Sequence, residues 1–310
     1  MYKKILEYIQ RYDSIILSRH SRPDMDALGS QLGLKQLILD NYPSKKVYAV
    51  GDMSRPCFLG EMDVIEDRIY QESLLIFTDV SVKQMLPNIP YKLAKEILCI
   101  DHHKNECDIE KANAFYDHKA AAACQMIAEF AFENQFIVSN HAAKCLYAGI
   151  ISDTNRFNFS LSKKLFQTSG NLIDLGFDYS EIYNIMYADK VSYVKMRAHF
   201  IEKFNVDEFG VAYLINDASV FEQFPVDFFT ISRGMVNVMA NLEGVHIWCN
   251  FTEDPQTHKI VCEFRSKKKE ILPIAKKYGG GGHLLACGAT VDNFEIANQI
   301  ITEMDELLKE

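Results

Sequence analysis

Four segments of this chain carry acids and imidazoles at spacings that could do chemistry. They are His20-Ser-Arg-Pro-Asp24-Met-Asp26, Asp79 in Phe-Thr-Asp-Val-Ser, Asp101-His102-His103, and Asp153 in Ile-Ser-Asp-Thr-Asn. Taken singly, an aspartate after a strand is an ordinary helix cap and a lone histidine an ordinary core or surface residue. Together they would bring Asp24, Asp26, Asp79 and Asp153 to one place. Two carboxylates about 4 Å apart repel by about 4 kcal/mol at an effective dielectric of 20. Positive charge must answer that repulsion, and two divalent ions would match it. A mixture of imidazole and carboxylate without thiolate suits Mn²⁺ better than a structural zinc.

A second group lies far downstream. Arg265, Ser266 and Lys267 open a basic stretch, and Gly279-Gly280-Gly281-Gly282-His283 follows it. Successive glycines expose backbone N–H groups and let a phosphate approach closely, so the tract beside Arg265 and His283 reads as an anion clamp. Arg265 suits bidentate phosphate contact, whereas Lys267 adds field.

The elements between these residues explain how they could meet. Residues 14–18, 46–50, 74–78 and 96–100 are short, nearly continuous apolar runs, as in a parallel sheet covered on both faces. Residues 27–40 place Leu28, Leu32, Leu34, Leu37, Ile38 and Leu39 largely on one helical stripe, and 120–136 and 140–151 also read as helices. Further helices are expected at 162–174, where Gly176 would end the helix, and at 180–186. From residue 206 the pattern changes to strands at 211–215, 245–251, 260–264 and 289–291, with helices near 228–242, 271–277 and 294–308. The chemical clusters follow the strands, where loops of an open α/β sheet converge on a crevice.

The expected architecture is therefore α/β: an N-terminal parallel-sheet α/β sandwich domain and a smaller C-terminal α/β domain, with the active site in the interdomain cleft. The boundaries fall at 1–186, a helical linker at 187–206, and 207–310, consistent with a chain of 310 residues. The composition, 48% hydrophobic and 24% charged, is that of a folded globular protein. No apolar run reaches the ~18 residues of a membrane span, and residues 1–10 lack the parts of a signal peptide, so the cytoplasm is the expected location and no membrane partner is expected. The eight cysteines form no CxxC pair and read as reduced, mostly buried thiols. A formal net charge of −9 opposes loose binding along duplex DNA and points to short substrates.

These clusters resemble the DHH phosphoesterase superfamily, whose motif stands here as Asp101-His102-His103. The second group is similar to the family's associated C-terminal domain, through Arg265-Ser266-Lys267 and the four glycines before His283. The resemblance implies that His20, Asp24 and Asp79 hold one metal, while Asp26, Asp79, His102 and Asp153 hold the other, with Asp79 bridging. It also implies a metal-activated water attacking phosphorus. His103 would face the phosphate as an imidazolium, neutralising charge or donating a proton, and Asp101 would orient a neighbouring histidine. Gly280, Gly281, Gly282, His283, Arg265, Ser266 and Lys267 would bind substrate. Where many relatives have a Ser-Thr pair, this chain has Ala122-Ala123, so a hydroxyl contact there is absent.

Within the family, the compact length looks most like the nano-RNases, which hydrolyse short single-stranded RNA and remove phosphate from 3′-phosphoadenosine 5′-phosphate. The alternative is a phosphodiesterase acting on linear dinucleotides such as pApA, or on cyclic di-AMP. From another class, a non-catalytic nucleotide sensor would share the fold, but intact candidates at every metal position argue against it. A homodimer stays open.

Overall fold

The computed structural model describes residues 1–52 and 57–309. Internal contacts divide it into two units, Met1–Ala188 and Asp189–Glu310.

The N-terminal unit runs α1 (Tyr2–Arg11), β1 (Ser14–Ser18), α2 (Met25–Asn41), β2 (Lys46–Ala49), α3 (Asp67–Glu72), β3 (Leu74–Thr78), β4 (Glu96–Asp101), β5 (Ala112–Tyr116), α4 (Ala123–Glu133), α5 (Asn140–Asp153), α6 (Lys163–Ile173) and α7 (Tyr179–Tyr187). Its five strands are all parallel, in the order β2-β1-β3-β4-β5. Successive side chains point to opposite faces, so a continuous apolar run feeds two cores. Ile15, Leu17, Leu74, Ile76, Leu98 and Ile100 enter the core on one face. Ile16, Leu75, Phe77, Ile97 and Cys99 enter the core on the other. The expected two-sided sheet is present, with β5 added at its edge.

Helix α2 departs from the expected stripe. Between Asp26 and Leu34 every residue is buried, because α2 is enclosed by the sheet and by α4 and α5. Glycine makes this possible: a Cβ on Gly33 would fall 2.7 Å from Leu146 of α5, and one on Gly29 would strike the Cys145 carbonyl. Truncating a fully buried leucine such as Leu34 to alanine costs about 2–5 kcal/mol, so this helix is held tightly where it must present its acids.

The C-terminal unit runs α8 (Val191–Lys203), β6 (Asn205–Val206), β7 (Val211–Asn216), α9 (Val220–Gln223), α10 (Phe228–Ser232), a 3₁₀ turn at Met235–Met239, β8 (Ile247–Glu253), β9 (Ile260–Ser266), α11 (Leu272–Lys277), β10 (Gly281–His283), β11 (Ala286–Val291) and α12 (Phe294–Lys309). Six strands form one sheet, β10-β11-β9-β8-β7-β6, in which only β7 and β8 pair in parallel. Residues 187–206, expected to link the domains, hold α8. Met196 and Phe200 of that helix are buried with Ala212, Leu214 and Trp248 in one of this unit's two cores. The helix expected near 228–242 is broken at Gly234, where a Cβ would strike the Thr230 carbonyl.

All eight cysteines are free, and only Cys57 and Cys107 are partly exposed. Among the described residues no helix is long and apolar enough to cross a membrane.

Candidate metal centre and anion pocket

The strand order reverses between β1 and β3, and such a switch point opens a crevice beyond the carboxyl ends of the strands. His20 follows β1 and Asp79 follows β3. Asp24 caps α2, accepting the Ala27 N–H at 3.0 Å, and Asp26 sits in the helix's first turn. Asp101 ends β4, followed by His102 and His103, and Asp153 ends α5. The acids and imidazoles of the four N-terminal segments thus reach one place.

They fall into overlapping clusters. His20 Nε2 lies 3.8 Å from Asp24 Oδ1 and 3.5 Å from Asp79 Oδ2. His102 Nε2 lies 3.8 Å from Asp26 Oδ2, 3.4 Å from Asp153 Oδ2 and 3.4 Å from Asp79 Oδ1. Asp79 therefore turns one carboxylate oxygen to each group. Its backbone is left-handed, with φ of +60°, a conformation costly for most side chains but tolerated by aspartate.

The free valences fit cations. His20 Nδ1 bonds the Ser21 carbonyl at 2.8 Å and His102 Nδ1 the Ala120 carbonyl at 3.3 Å, which leaves each Nε2 for the cluster. Asp79 Oδ1 and His102 Nε2 are buried and have no hydrogen-bond partner among the described residues. Two sets, His20 with Asp24 and Asp79, and Asp26 with His102 and Asp153, each bring their ligand atoms within 4.8 Å of one another. Such orphaned buried donors call for a positive ion.

Electrostatics point the same way. Burial disfavours charge on His20, but Asp24 and Asp79 outweigh it and raise its pKa to about 10. Burial is likewise outweighed at His102 by Asp79, Asp26 and Asp153, which raise it to about 9. Burial, then Asp79 and Asp24, push Asp153 up to about 7. Burial with Asp79 and Asp153 carries Asp26 well above the usual carboxylate range. Without ions the centre holds protons that cations would displace.

Beside the clusters, Asp101 Oδ1 accepts from His103 Nδ1 at 2.8 Å and from the His103 N–H at 3.1 Å, and Oδ2 accepts from Ser81 Oγ at 2.6 Å. That bond to Asp101 is the largest influence on His103 and raises its pKa against burial. Burial alone would raise Asp101, but the bonds from His103 and Ser81 hold it low. His103 Nδ1 is also 3.5 Å from Asp79 Oδ1.

In the C-terminal unit a cavity of about 520 Å³ is lined by Arg265, Gly279 to Gly282 and His283, together with Arg233 and Glu263. The glycines are a short edge strand rather than an open loop: Gly281, Gly282 and His283 pair with Gly288, Cys287 and Ala286. A Cβ on Gly282 would fall 2.7 Å from Cys287 Cα, so only glycine fits there. The N–H groups of Gly279 and Gly280 are taken by the Lys276 and Ala275 carbonyls, so the tract offers fewer donors than its sequence suggests. Ser266 and Lys267 do not line the cavity. Ser266 points to the other face of β9, and Lys267 Nζ donates to the Leu242 carbonyl at 2.7 Å.

Two pocket residues escaped sequence reasoning. Glu263 and Arg265 share a strand face by the period of two, which the sequence could have revealed. Arg233 carried no such signal.

A parallel α/β unit with a carboxylate and imidazole centre, joined in sequence to a mixed-sheet unit with a cationic glycine pocket, defines the class. Residues 14–150 match the DHH family, N-terminal domain, and residues 229–310 the DHHA1 domain. The chain belongs to the DHH family, as its motifs implied. The bifunctional oligoribonuclease and PAP phosphatase NrnA of Bacillus subtilis (strain 168) is 32% identical over 315 residues, 100% of this chain and 99% of that protein. The probable bifunctional oligoribonuclease and PAP phosphatase NrnA of Streptococcus mutans is 34% identical over 311 residues, 99% of each. The cyclic-di-AMP phosphodiesterase PdeA of Listeria monocytogenes is 24% identical over 98% of this chain but 49% of that protein. An exopolyphosphatase-related protein from Bacteroides fragilis shares the fold, with a TM-score of 0.79 at 22% identity, over 100% of this chain and 97% of that one.

Proposed function

We propose that this chain is a cytoplasmic, Mn²⁺-dependent phosphoesterase that hydrolyses short RNA oligonucleotides and removes phosphate from 3′-phosphoadenosine 5′-phosphate. The observation that carries the reading is Asp79, whose two carboxylate oxygens face two separate clusters of acids and imidazoles. In this reading His20, Asp24 and Asp79 hold one ion, and Asp26, Asp79, His102 and Asp153 hold the other. Bound there, the ions would supply an activated water and neutralise charge on a phosphate.

The chain's own groups do the rest. His103, kept basic by Asp101, faces the phosphate as an imidazolium and either neutralises its charge or protonates the leaving oxygen. Asp101 holds that imidazole in place. Arg265 and His283 take a phosphate that the ions do not hold, with Gly280, Gly281 and Gly282 admitting it closely. The names of the full-length bacterial relatives support the substrate class. A net charge of −9 supports short single-stranded substrates over duplex DNA.

Hydrolysis of a linear dinucleotide such as pApA, or of cyclic di-AMP, is the second reading, supported by the likeness of nearly the whole chain to the Listeria protein, a cyclic-di-AMP phosphodiesterase by name. One panel tests both. With Mn²⁺ at fixed salt, RNAs of increasing length, pApA, cyclic di-AMP, 3′-phosphoadenosine 5′-phosphate, pyrophosphate and polyphosphate would be compared. The first reading expects the fastest turnover on RNAs of about two to five nucleotides, because longer strands gain few further phosphate contacts. A long single strand degraded as efficiently as a dinucleotide would sink it.

A further inference from the structure

We propose that Arg233 is a nucleobase-stacking residue of the C-terminal pocket, its guanidinium held flat by Glu263 and Phe229. This rests on the nucleotide-hydrolase reading above and specifies how the base is received.

Arg233 closes the C-terminal end of α10 and lines the cavity that Arg265 and the glycine strand share. Two contacts fix its plane. Its Nε donates to Glu263 Oε1 at 3.0 Å, and its guanidinium carbon lies 5.0 Å from the centre of the Phe229 ring. The carboxylate is itself buried and anchored, since Glu263 Oε2 accepts from Arg265 Nη1 at 3.1 Å. The side chain of Arg233 is nevertheless 63% exposed. The guanidinium lies over the Phe229 ring, and much of the side chain is open to a ligand.

Strand register separates the two arginines. They share a single carboxylate, and only Arg265 is also registered against the β10–β11 hairpin, paired with Ala286. Arg265 is the arm placed for a phosphate. Arg233, over an aromatic ring and largely exposed, offers a planar surface. Guanidinium planes of this kind stack on unpaired bases, and such stacking tolerates any base because every base has a π-face. Held by the two oxygens of one carboxylate, the guanidinium groups are neighbours that a single nucleotide could meet with its phosphate and its base. Glu263 is the positioning residue that sets the two arms relative to each other.

The test is steady-state hydrolysis by the full chain with Mn²⁺, using a 5′-phosphorylated diribonucleotide and the same compound lacking its bases. Arg233→Ala and Arg233→Lys are both expected to raise KM for the base-bearing substrate by about ten- to a hundredfold, and by much less for the abasic one. Lysine keeps the charge but has no plane, so it should not rescue. Phe229→Leu, which removes the ring under the guanidinium at a 59% exposed position, should shift KM in the same direction. The salt dependence of KM should stay as in the unmodified chain. Rescue by lysine, with a salt slope reduced by about one in alanine, would make Arg233 a phosphate contact and overturn the proposal. An equal loss on both substrates, or an unchanged KM, would overturn it too. No turnover of either substrate by the unmodified chain would instead defeat the nucleotide reading itself, and stacking with it.

Discussion

Asp26 caps a helix to which it does not belong: its Oδ2 accepts the N–H of Ala123, the first residue of α4, at 2.6 Å. Its Oδ1 accepts the Cys124 N–H at 2.9 Å. Helix α4 has Ala122 at its N-cap and no side-chain cap of its own, so the carboxylate from α2 supplies one across the fold. Ala123 therefore still serves the centre, through its backbone N–H rather than a hydroxyl. The positive end of α4 helps hold a buried carboxylate that its acidic neighbours repel.

Asp153 has no such helix cap, which separates the two acids experimentally. Its folded pKa is raised, to about 7, so its ionisation destabilises the ion-free fold. The sign follows from linkage: the penalty is fully present above the folded pKa and vanishes below the unfolded one, near 4. Asp153→Asn is expected to raise the melting temperature of the chelated protein at pH 8, to change it little at pH 4, and to shrink the rise that Mn²⁺ produces. Calorimetry with and without chelator checks this.

Asp79→Asn should abolish turnover while the fold survives. An amide keeps the shape but loses the charge both clusters share, so a loss of roughly a thousandfold or more is expected. Metal analysis should find bound Mn²⁺ reduced at both positions. Near-normal activity, or activity that persists after exhaustive chelation, would end the two-ion account.

Arg265→Ala should bind Mn²⁺ normally yet show a raised KM for nucleotides with a second phosphate. Losing one charge-assisted contact costs about 1.5–3 kcal/mol, roughly ten- to more than a hundredfold. A simple artificial phosphodiester without that phosphate should suffer less. An equal loss on both would assign Arg265 to the chemistry or to the fold.

On α12, Asp305 faces Asp207. Burial, then the neighbouring carboxylate of Asp207, raises the pKa of Asp305 to about 6. Asp207 is committed to its turn, where Oδ1 accepts the N–H groups of Phe209, Gly210 and Val211, each at 2.9 Å. Stability should therefore fall as pH rises from about 4 through 6. Asp305→Asn should raise the melting temperature at pH 8, with the advantage fading towards pH 4. An advantage that does not change with pH would refute the carboxyl pair as its cause.

The sequence disclosed the metal centre well because each acid follows an apolar run whose period marks a strand or buried helix. What it hid has physical reasons. Strand β5, Ala112–Tyr116, is a partly exposed edge without a continuous apolar run. Helix α2 was legible as a helix but not as one buried all round, since the glycines that let α5 approach look like weaknesses in a linear reading. The break at Gly234 depends on a carbonyl one turn earlier, and it is this break that leaves Arg233 at a helix end facing Glu263, 30 residues away. Ser266 was grouped with Arg265 by adjacency, whereas a strand turns adjacent side chains to opposite faces, and Lys267 lies beyond the end of β9.

The parallel order of the N-terminal sheet also sets a schedule. β1 must wait for β3 before His20 and Asp79 can come together, and the cluster of Asp26, His102 and Asp153 needs the chain as far as the end of α5. Parallel pairing closes long loops before any contact rewards it, so these are late events as a chain is made. An emerging chain carries its acids scattered along separate segments and has nothing with which to grip an ion. The capacity to hold two ions therefore waits for the end of α5, and a nascent fragment cut short before Asp153 cannot assemble the second cluster.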